Sequence, residues 1–151
     1  MELFSAAKPV FVPGLSGQKN TLGAFRTDFH ANPGSHTELI IAAHTFYRIY
    51  LNGRWVGTGP VPAAYGYLKA DRYDFSSLLN SQGEANQLAI EVMGYVPEEN
   101  FASGGPSCLL AEVISEGQII CATGKEWQCR VLTQKDCFTE TLSFGRRVPL
   151  E

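Results

Sequence analysis

The side chains able to do chemistry gather in and beside two Gly/Pro-rich stretches. Pro60 to Arg72 (PVPAAYGYLKADR) carries Tyr65, Tyr67, Asp71 and Arg72, with Trp55 just ahead of it. Tyr95 to Ser107 (YVPEENFASGGPS) carries Tyr95, Asn100 and Phe101. A sugar presents apolar C–H faces ringed by hydroxyls, so its site combines a flat aromatic platform with a few placed donors and acceptors. Trp55, Tyr65, Tyr67, Tyr95 and Phe101 are the candidate platform, and Asp71, Arg72 and Asn100 the candidate polar contacts. The plainer alternative for each ring is packing of its own loop, against the domain or against a neighbouring one.

Other chemistries find less support. A nucleophile elbow needs Gly-x-Ser-x-Gly between a strand and a helix, and the nearest string, Gly14-Leu-Ser16-Gly17, has the wrong spacing. His30, His36 and His44 show no partner spacing and read as scattered satisfied or solvated histidines. Gly57-Thr-Gly59 follows a strand, but Pro62 holds the third glycine position of a dinucleotide fingerprint and no helix follows. Those glycines read instead as backbone that needs room where a hairpin strand leaves its sheet. Cys108, Cys121, Cys129 and Cys137 form no C-x-x-C pair, which argues against zinc or redox chemistry. Free thiols buried on strands are expected rather than bridges. Glycoside hydrolysis needs two carboxylates about 5–9.5 Å apart across a sugar. Glu98 and Glu99 are neighbours in a loop, Asp71 and Asp74 bracket a turn, and neither pair makes an acid/base couple. No catalytic or metal-ligating residue is assigned.

The elements that must hold these groups repeat with period two. Phe25, Thr27 and Phe29 alternate with Arg26 and Asp28, a half-buried strand. Glu38 to Ala43 is a continuous apolar run, read as a strand covered on both sides. Ile49 and Leu51 alternate with Arg48 and Tyr50 up to Asn52-Gly53, a strong signal for a two-residue type I′ hairpin. That turn sets Tyr50 opposite Trp55 and Ile49 opposite Val56, with Ile49, Leu51 and Val56 directed to a core. Leu88, Ile90 and Val92 form another alternating strand, as do Leu109, Ala111 and Val113. Glu116-Gly117 then turns the chain into Ile119-Ile120, and a last strand pair is expected at Trp127–Leu132 and Phe138–Phe144. Asp74–Leu79 is the one helical turn expected, capped by Asp74 or Ser76. Many short strands separated by turns indicate an antiparallel β-sandwich or barrel.

The chain has 151 residues, 44% hydrophobic and 18% charged, with a formal net charge of −3. That length fits one domain, able to bury about 68% of its extended surface without staples. The acidic balance lacks the electrostatic footprint of a nucleic-acid binder. No run approaches ~18 apolar residues, so no membrane span is expected. Residues 1–20 read as an N-terminal extension, linker or wrapping strand, and residues 21–149 as the sandwich. Leu150-Glu151 reads as vector-derived, so the chain is expected to be a piece of a longer protein, with localisation left open.

Phe25-Arg-Thr-Asp-Phe29, Phe46-Tyr-Arg-Ile-Tyr-Leu-Asn-Gly53, Val56-Gly-Thr-Gly-Pro60, Tyr73-Asp-Phe75 to Leu79 and Asn86-Gln-Leu-Ala-Ile-Glu-Val92 occur in this order. Together they resemble the N-terminal β-sandwich module of bacterial α-L-rhamnosidases. Ala122-Thr123 to Trp127 is similar to a late strand of such modules. The resemblance covers Thr21 to Arg130. It implies an all-β, galactose-binding-domain-like jelly roll, non-catalytic, inside a multidomain exo-enzyme that releases terminal rhamnose from plant or microbial glycans. The catalytic carboxylates would then sit in a separate helical barrel. Implied partners are the catalytic domain of the same parent chain and carbohydrate, and the implied parent is a periplasmic or secreted bacterial protein. Some such modules bind rhamnose with calcium, but no Asp/Asn cluster here matches that site, so no cofactor is assigned, and a structural calcium stays open without a motif to support it. Three roles follow: an accessory domain supporting the catalytic one, a carbohydrate-binding module for rhamnose or plant glycans, or a structural interdomain scaffold.

Overall fold

A computed structural model describes residues 3–61, 67–94 and 105–132. Among the described residues nine strands follow one another: β1 (Thr21–Phe29), β2 (Thr37–His44), β3 (Phe46–Leu51), β4 (Arg54–Gly59), β5 (Ala70–Asp74), β6 (Asn86–Gly94), β7 (Cys108–Ser115), β8 (Gln118–Ala122) and β9 (Gln128–Val131). They form a five-stranded sheet ordered β4-β3-β6-β1-β9 and a four-stranded sheet ordered β5-β2-β7-β8. All pairings are antiparallel. The fold is an all-β antiparallel sandwich, as expected from the alternation, and it fits the jelly-roll, galactose-binding-like architecture that the resemblance implies.

Period two decides which side chains meet between the sheets. Phe25, Ile49, Leu88 and Ile90 of one sheet pack against Leu39, Ile41, Ala111 and Val113 of the other. The β3–β4 turn is as anticipated, with φ of 53° at Asn52 and 75° at Gly53. Tyr50 does pair with Trp55, but Ile49 pairs with Gly57 rather than Val56, because the register shifts between Ile49 and Tyr50. Val56 is the extra residue of a β-bulge, half-buried against the core, and bulges re-aim neighbouring side chains. Glu116 and Gly117, with φ of 49° and 78°, turn β7 into β8.

The continuous apolar run of β2 is covered on both sides. Leu39, Ile41 and Ala43 face the core, while Ile40 and Ala42, buried as well, belong to the opposite face. On that face Ile40 pairs with Glu112 of β7. Glu112 is only 2% exposed, and its Oε1 accepts the backbone N–H groups of Ser5, Ala6 and Ala7 at 2.9, 2.6 and 2.7 Å. The N-terminal segment thus straps the outer face of the four-stranded sheet. Farther along, Lys8 N–H donates to Thr123 O, Val10 bridges to Leu109, and Val12 enters the core.

Three expectations need correction or narrowing. Residues 74–79 make a single hydrogen-bonded turn and not a longer helix: Leu78 N–H donates to Phe75 O at 2.9 Å, and Asp74, which ends β5, caps the turn, its Oδ1 accepting the Ser76 N–H at 2.9 Å. Hydrogen bonds from the Ser76 hydroxyl and backbone hold the Asp74 carboxyl below its usual range. Pro60 to Arg72 is not wholly loop, since β5 starts at Ala70 and pairs with β2; the alternating charges of Asp71-Arg-Tyr-Asp74 conceal an edge strand. The Trp127–Leu132 strand is present as β9, whereas Phe138–Phe144 lies outside the described residues.

Candidate functional site

The edge strands β4 and β5, one from each sheet, come together at one side of the sandwich. Their meeting depends on two glycines. A Cβ on Gly57 would lie 2.4 Å from the Tyr73 ring, and one on Gly59 would lie 2.5 Å from the Tyr47 hydroxyl. With neither present, the two tyrosine rings pack edge-on, centroids 6.3 Å apart, against the β4 backbone.

A polar network closes this edge. The Tyr47 hydroxyl donates to Asp71 Oδ2 at 2.6 Å and lies 3.1 Å from the Tyr73 hydroxyl. Tyr73 donates to Thr58 O at 3.2 Å, and the Thr58 hydroxyl donates to Tyr47 O at 2.7 Å. Lys69 Nζ sits 3.2 Å from the other carboxylate oxygen, Oδ1. Burial first, then the Asp71 and Tyr73 hydrogen bonds, push the Tyr47 phenol far above its ordinary range. Tyr47 therefore stays a donor throughout the physiological range, and both oxygens of Asp71 are occupied.

The predicted binding residues divide among different faces. Asp71 points to the sandwich edge, while Arg72, the next residue along, points outward and pairs with Glu38 at 2.6 Å. Tyr67, 73% exposed, lies on the crossing between β4 and β5, where Val61 and Leu68 are exposed too. Trp55, 63% exposed, lies opposite Tyr50 on the outer face of the five-stranded sheet. Alternation sets Tyr50 on the opposite side of β3 from the buried Ile49 and Leu51, so Trp55 and Asp71 do not share one surface. Tyr65, Tyr95, Asn100 and Phe101 lie outside the described residues.

Other candidates resolve simply. Asp71 and Asp74 do not bracket a turn; they lie on one strand at odd spacing and project to opposite faces. A paired-carboxylate site cannot form from them. Cys108, Cys121 and Cys129 are free thiols on strands, the first two half-buried and the third exposed rather than buried. Desolvation raises the thiol pKa of both Cys108 and Cys121. His30 and His36 are exposed and His44 is buried. Among the described residues, no group of three or more His, Cys, Asp or Glu could hold a metal, and no helix is long and apolar enough to cross a membrane.

Sequence reasoning missed Tyr47, Tyr73 and Glu112. The signal for the first two was Gly57-Thr-Gly59 facing Tyr73 across the sandwich edge, a relation invisible in linear order. Only a lone acid in an otherwise apolar strand marked Glu112.

No protein-family model matches the chain, and no curated protein matches it. Among solved structures, the GH78 family rhamnosidase of Bacillus sp. GL1 superposes with a TM-score of 0.77 at 26% identity, over 85% of this chain and 14% of that one. The chain resembles a module of α-L-rhamnosidases. The Streptomyces avermitilis α-L-rhamnosidase, in complex with L-rhamnose, matches this rhamnosidase-like module with a TM-score of 0.56 and 23% identity, over 74% of the module and 12% of the enzyme. A Pleurotus ostreatus lectin in complex with GalNAc shares the fold, with a TM-score of 0.54 and 19% identity, over 82% of the module and 34% of the lectin. The module thus spans only a small fraction of the rhamnosidases it matches.

Proposed function

We propose that the chain is a non-catalytic accessory module of an α-L-rhamnosidase-like enzyme, occupying its N-terminal part and resting against the catalytic domain of the same parent chain. The carrying observation is the superposition that takes up 85% of this chain but 14% of the Bacillus rhamnosidase. The polar network at the β4–β5 edge supports it, because Asp71 has both oxygens engaged and, among the described residues, the bonds of that network involve no second carboxylate. The exposed Val61, Tyr67 and Leu68 on the crossing supply apolar surface of the sort that docks a neighbouring domain. The purified chain should leave a chromogenic α-L-rhamnoside intact. Turnover that co-purifies with it would overturn this reading.

A second reading, a carbohydrate-binding module for rhamnose or plant glycans, is favoured by one observation: Trp55 stands exposed opposite Tyr50, a platform open to solvent. Titration with rhamnose, followed by tryptophan fluorescence, separates the readings. Saturation in the wild type, with binding lost by calorimetry in Trp55→Ala, supports the second reading; a flat titration leaves the accessory role.

A further inference from the structure

The outer face of the five-stranded sheet is not a uniform polar surface. Pairing aligns Trp55, Tyr50, Ala89, Arg26 and Gln128 in one row across all five strands. The next row runs Thr58, Arg48, Glu91, Ala24 and Arg130. Ala24 and Ala89 are small residues in the middle of larger ones, and the sheet is hollow above them. The hollow has a volume of about 540 Å³ and is bordered by Tyr50, Arg26, Glu91 and Arg130.

Its charge is uneven. Glu91 is answered from outside the hollow by Arg48, 3.7 Å away. Arg26 and Arg130 are exposed and make no ion pair or side-chain hydrogen bond among the described residues. Asp28 lies beyond Arg26 on the same face, opposite Gln87 and outside the hollow. Because Arg26 pairs with Gln128 and Ala24 with Arg130, the two arginines are diagonal neighbours, about 7–8 Å apart at the backbone and within reach of one anion. In a chain of net charge −3, this is a local concentration of unanswered guanidinium groups beside an aromatic shelf.

We propose that this hollow binds a carboxylate-bearing sugar. One ring seats over Ala24 and Ala89 beside Tyr50, its carboxylate held by Arg26 and Arg130, and a neighbouring ring extends along the row onto Trp55, which lies just outside the hollow. Guanidinium forks match carboxylates in a planar, bidentate way, which a neutral sugar cannot use. The row from Trp55 to Arg26 crosses three strand spacings, roughly 14 Å, so the occupant is a short oligosaccharide rather than one ring. An acidic peptide would satisfy the arginines but leave the aromatic shelf and its two-alanine floor without a flat partner. The site stands whether or not the module docks on a catalytic domain elsewhere.

The test uses the full chain and two probes, trigalacturonate and its methyl ester, which keeps the rings and removes the charge. Of the two tryptophans, Trp127 is buried, so Trp55 reports binding. Trigalacturonate should saturate the signal and bind at least about tenfold more tightly than the ester. The Arg26→Gln/Arg130→Gln variant should lose about tenfold or more in affinity, with unchanged thermal unfolding. Trp55→Ala, followed by calorimetry, should weaken binding as well. No saturation by about 10 mM, equal affinity for acid and ester, or indifference to the arginine pair would each overturn the proposal. A glutamate-rich peptide that binds as tightly as trigalacturonate, and competes with it, would overturn the assignment to sugar.

Discussion

Glutamate 112 offers the sharpest test of how the fold is held. Its Oε1 accepts three consecutive backbone N–H groups at 2.6 to 2.9 Å at a site where Glu112 and its neighbour Ile40 are each 2% exposed. Hydrogen bonds to a charged acceptor contribute about 1.5–3 kcal/mol each, but three donors on one oxygen do not add. In Glu112→Ala the strap has two options. It can stay, leaving three amides without a partner, or peel away, hydrating the amides but exposing the outer face around Ile40 and Ala42. The cheaper option sets the loss, which should be about 2–4 kcal/mol, since burying one aliphatic side chain is itself worth about 1.5–3 kcal/mol. For a chain of this size that lowers Tm by about 6–12 °C. Urea unfolding measures the loss, and amide exchange at Ser5, Ala6 and Ala7 should quicken more than anywhere in the core. A deletion of residues 1–7 provides the decisive cycle, because Glu112 then loses its partners and Glu112→Ala in that background should be nearly neutral. If Glu112→Ala costs the same with and without the strap, the carboxylate does not act through those amides and the reasoning fails.

Four further outcomes can be measured by similar means. Gly57→Ala should cost about 1–3 kcal/mol, because its Cβ would press on the Tyr73 ring; Gly124→Ala, which meets nothing within 4 Å, is the control. Tyr47→Phe should lose about 1.5–3 kcal/mol through the bond to Asp71. Since burial raises the Tyr47 pKa above its ordinary 10.0, the neutral phenol is favoured in the folded state. That stability is full below pH 10 and declines above it, so wild type should lose stability there more steeply than Tyr47→Phe. Asn86→Ala should cost about 1–3 kcal/mol, since it strands the Asn80 N–H and takes from the Asn52 amide one of its two acceptors, the other being Leu78 O. Timed alkylation of the native chain, read by mass spectrometry, should label Cys129 before Cys108 and Cys121, whose partial burial disfavours the thiolate.

The two asparagines show where linear reading ends. Asn52-Gly53 announced a turn by local rules, while Asn86 stood only at the head of a motif that carried the resemblance. The structure joins them: Asn52 donates to Asn86 Oδ1 at 2.9 Å and accepts the Gln87 N–H at 2.8 Å, fixing the hairpin end to β6. The β-bulge at Ile49/Tyr50 was likewise hidden, because one extra residue leaves composition and alternation almost unchanged while shifting every partner beyond it. Trp55, Tyr67, Asp71 and Arg72 were legible as residues able to touch a sugar. Their distribution over separate faces was not.

What the sequence determined by itself was the class of fold, most strands, both tight turns and the double burial of β2. These follow from side-chain period and from backbone torsions, both local properties. Only the tertiary structure decided what lies across the second face of β2, why Gly57 and Gly59 must lack a Cβ, and which charged side chains share the hollow over Ala24 and Ala89. Each of these depends on residues far apart in sequence approaching within a few ångströms, and that proximity is set by sheet order and register, which no local pattern specifies.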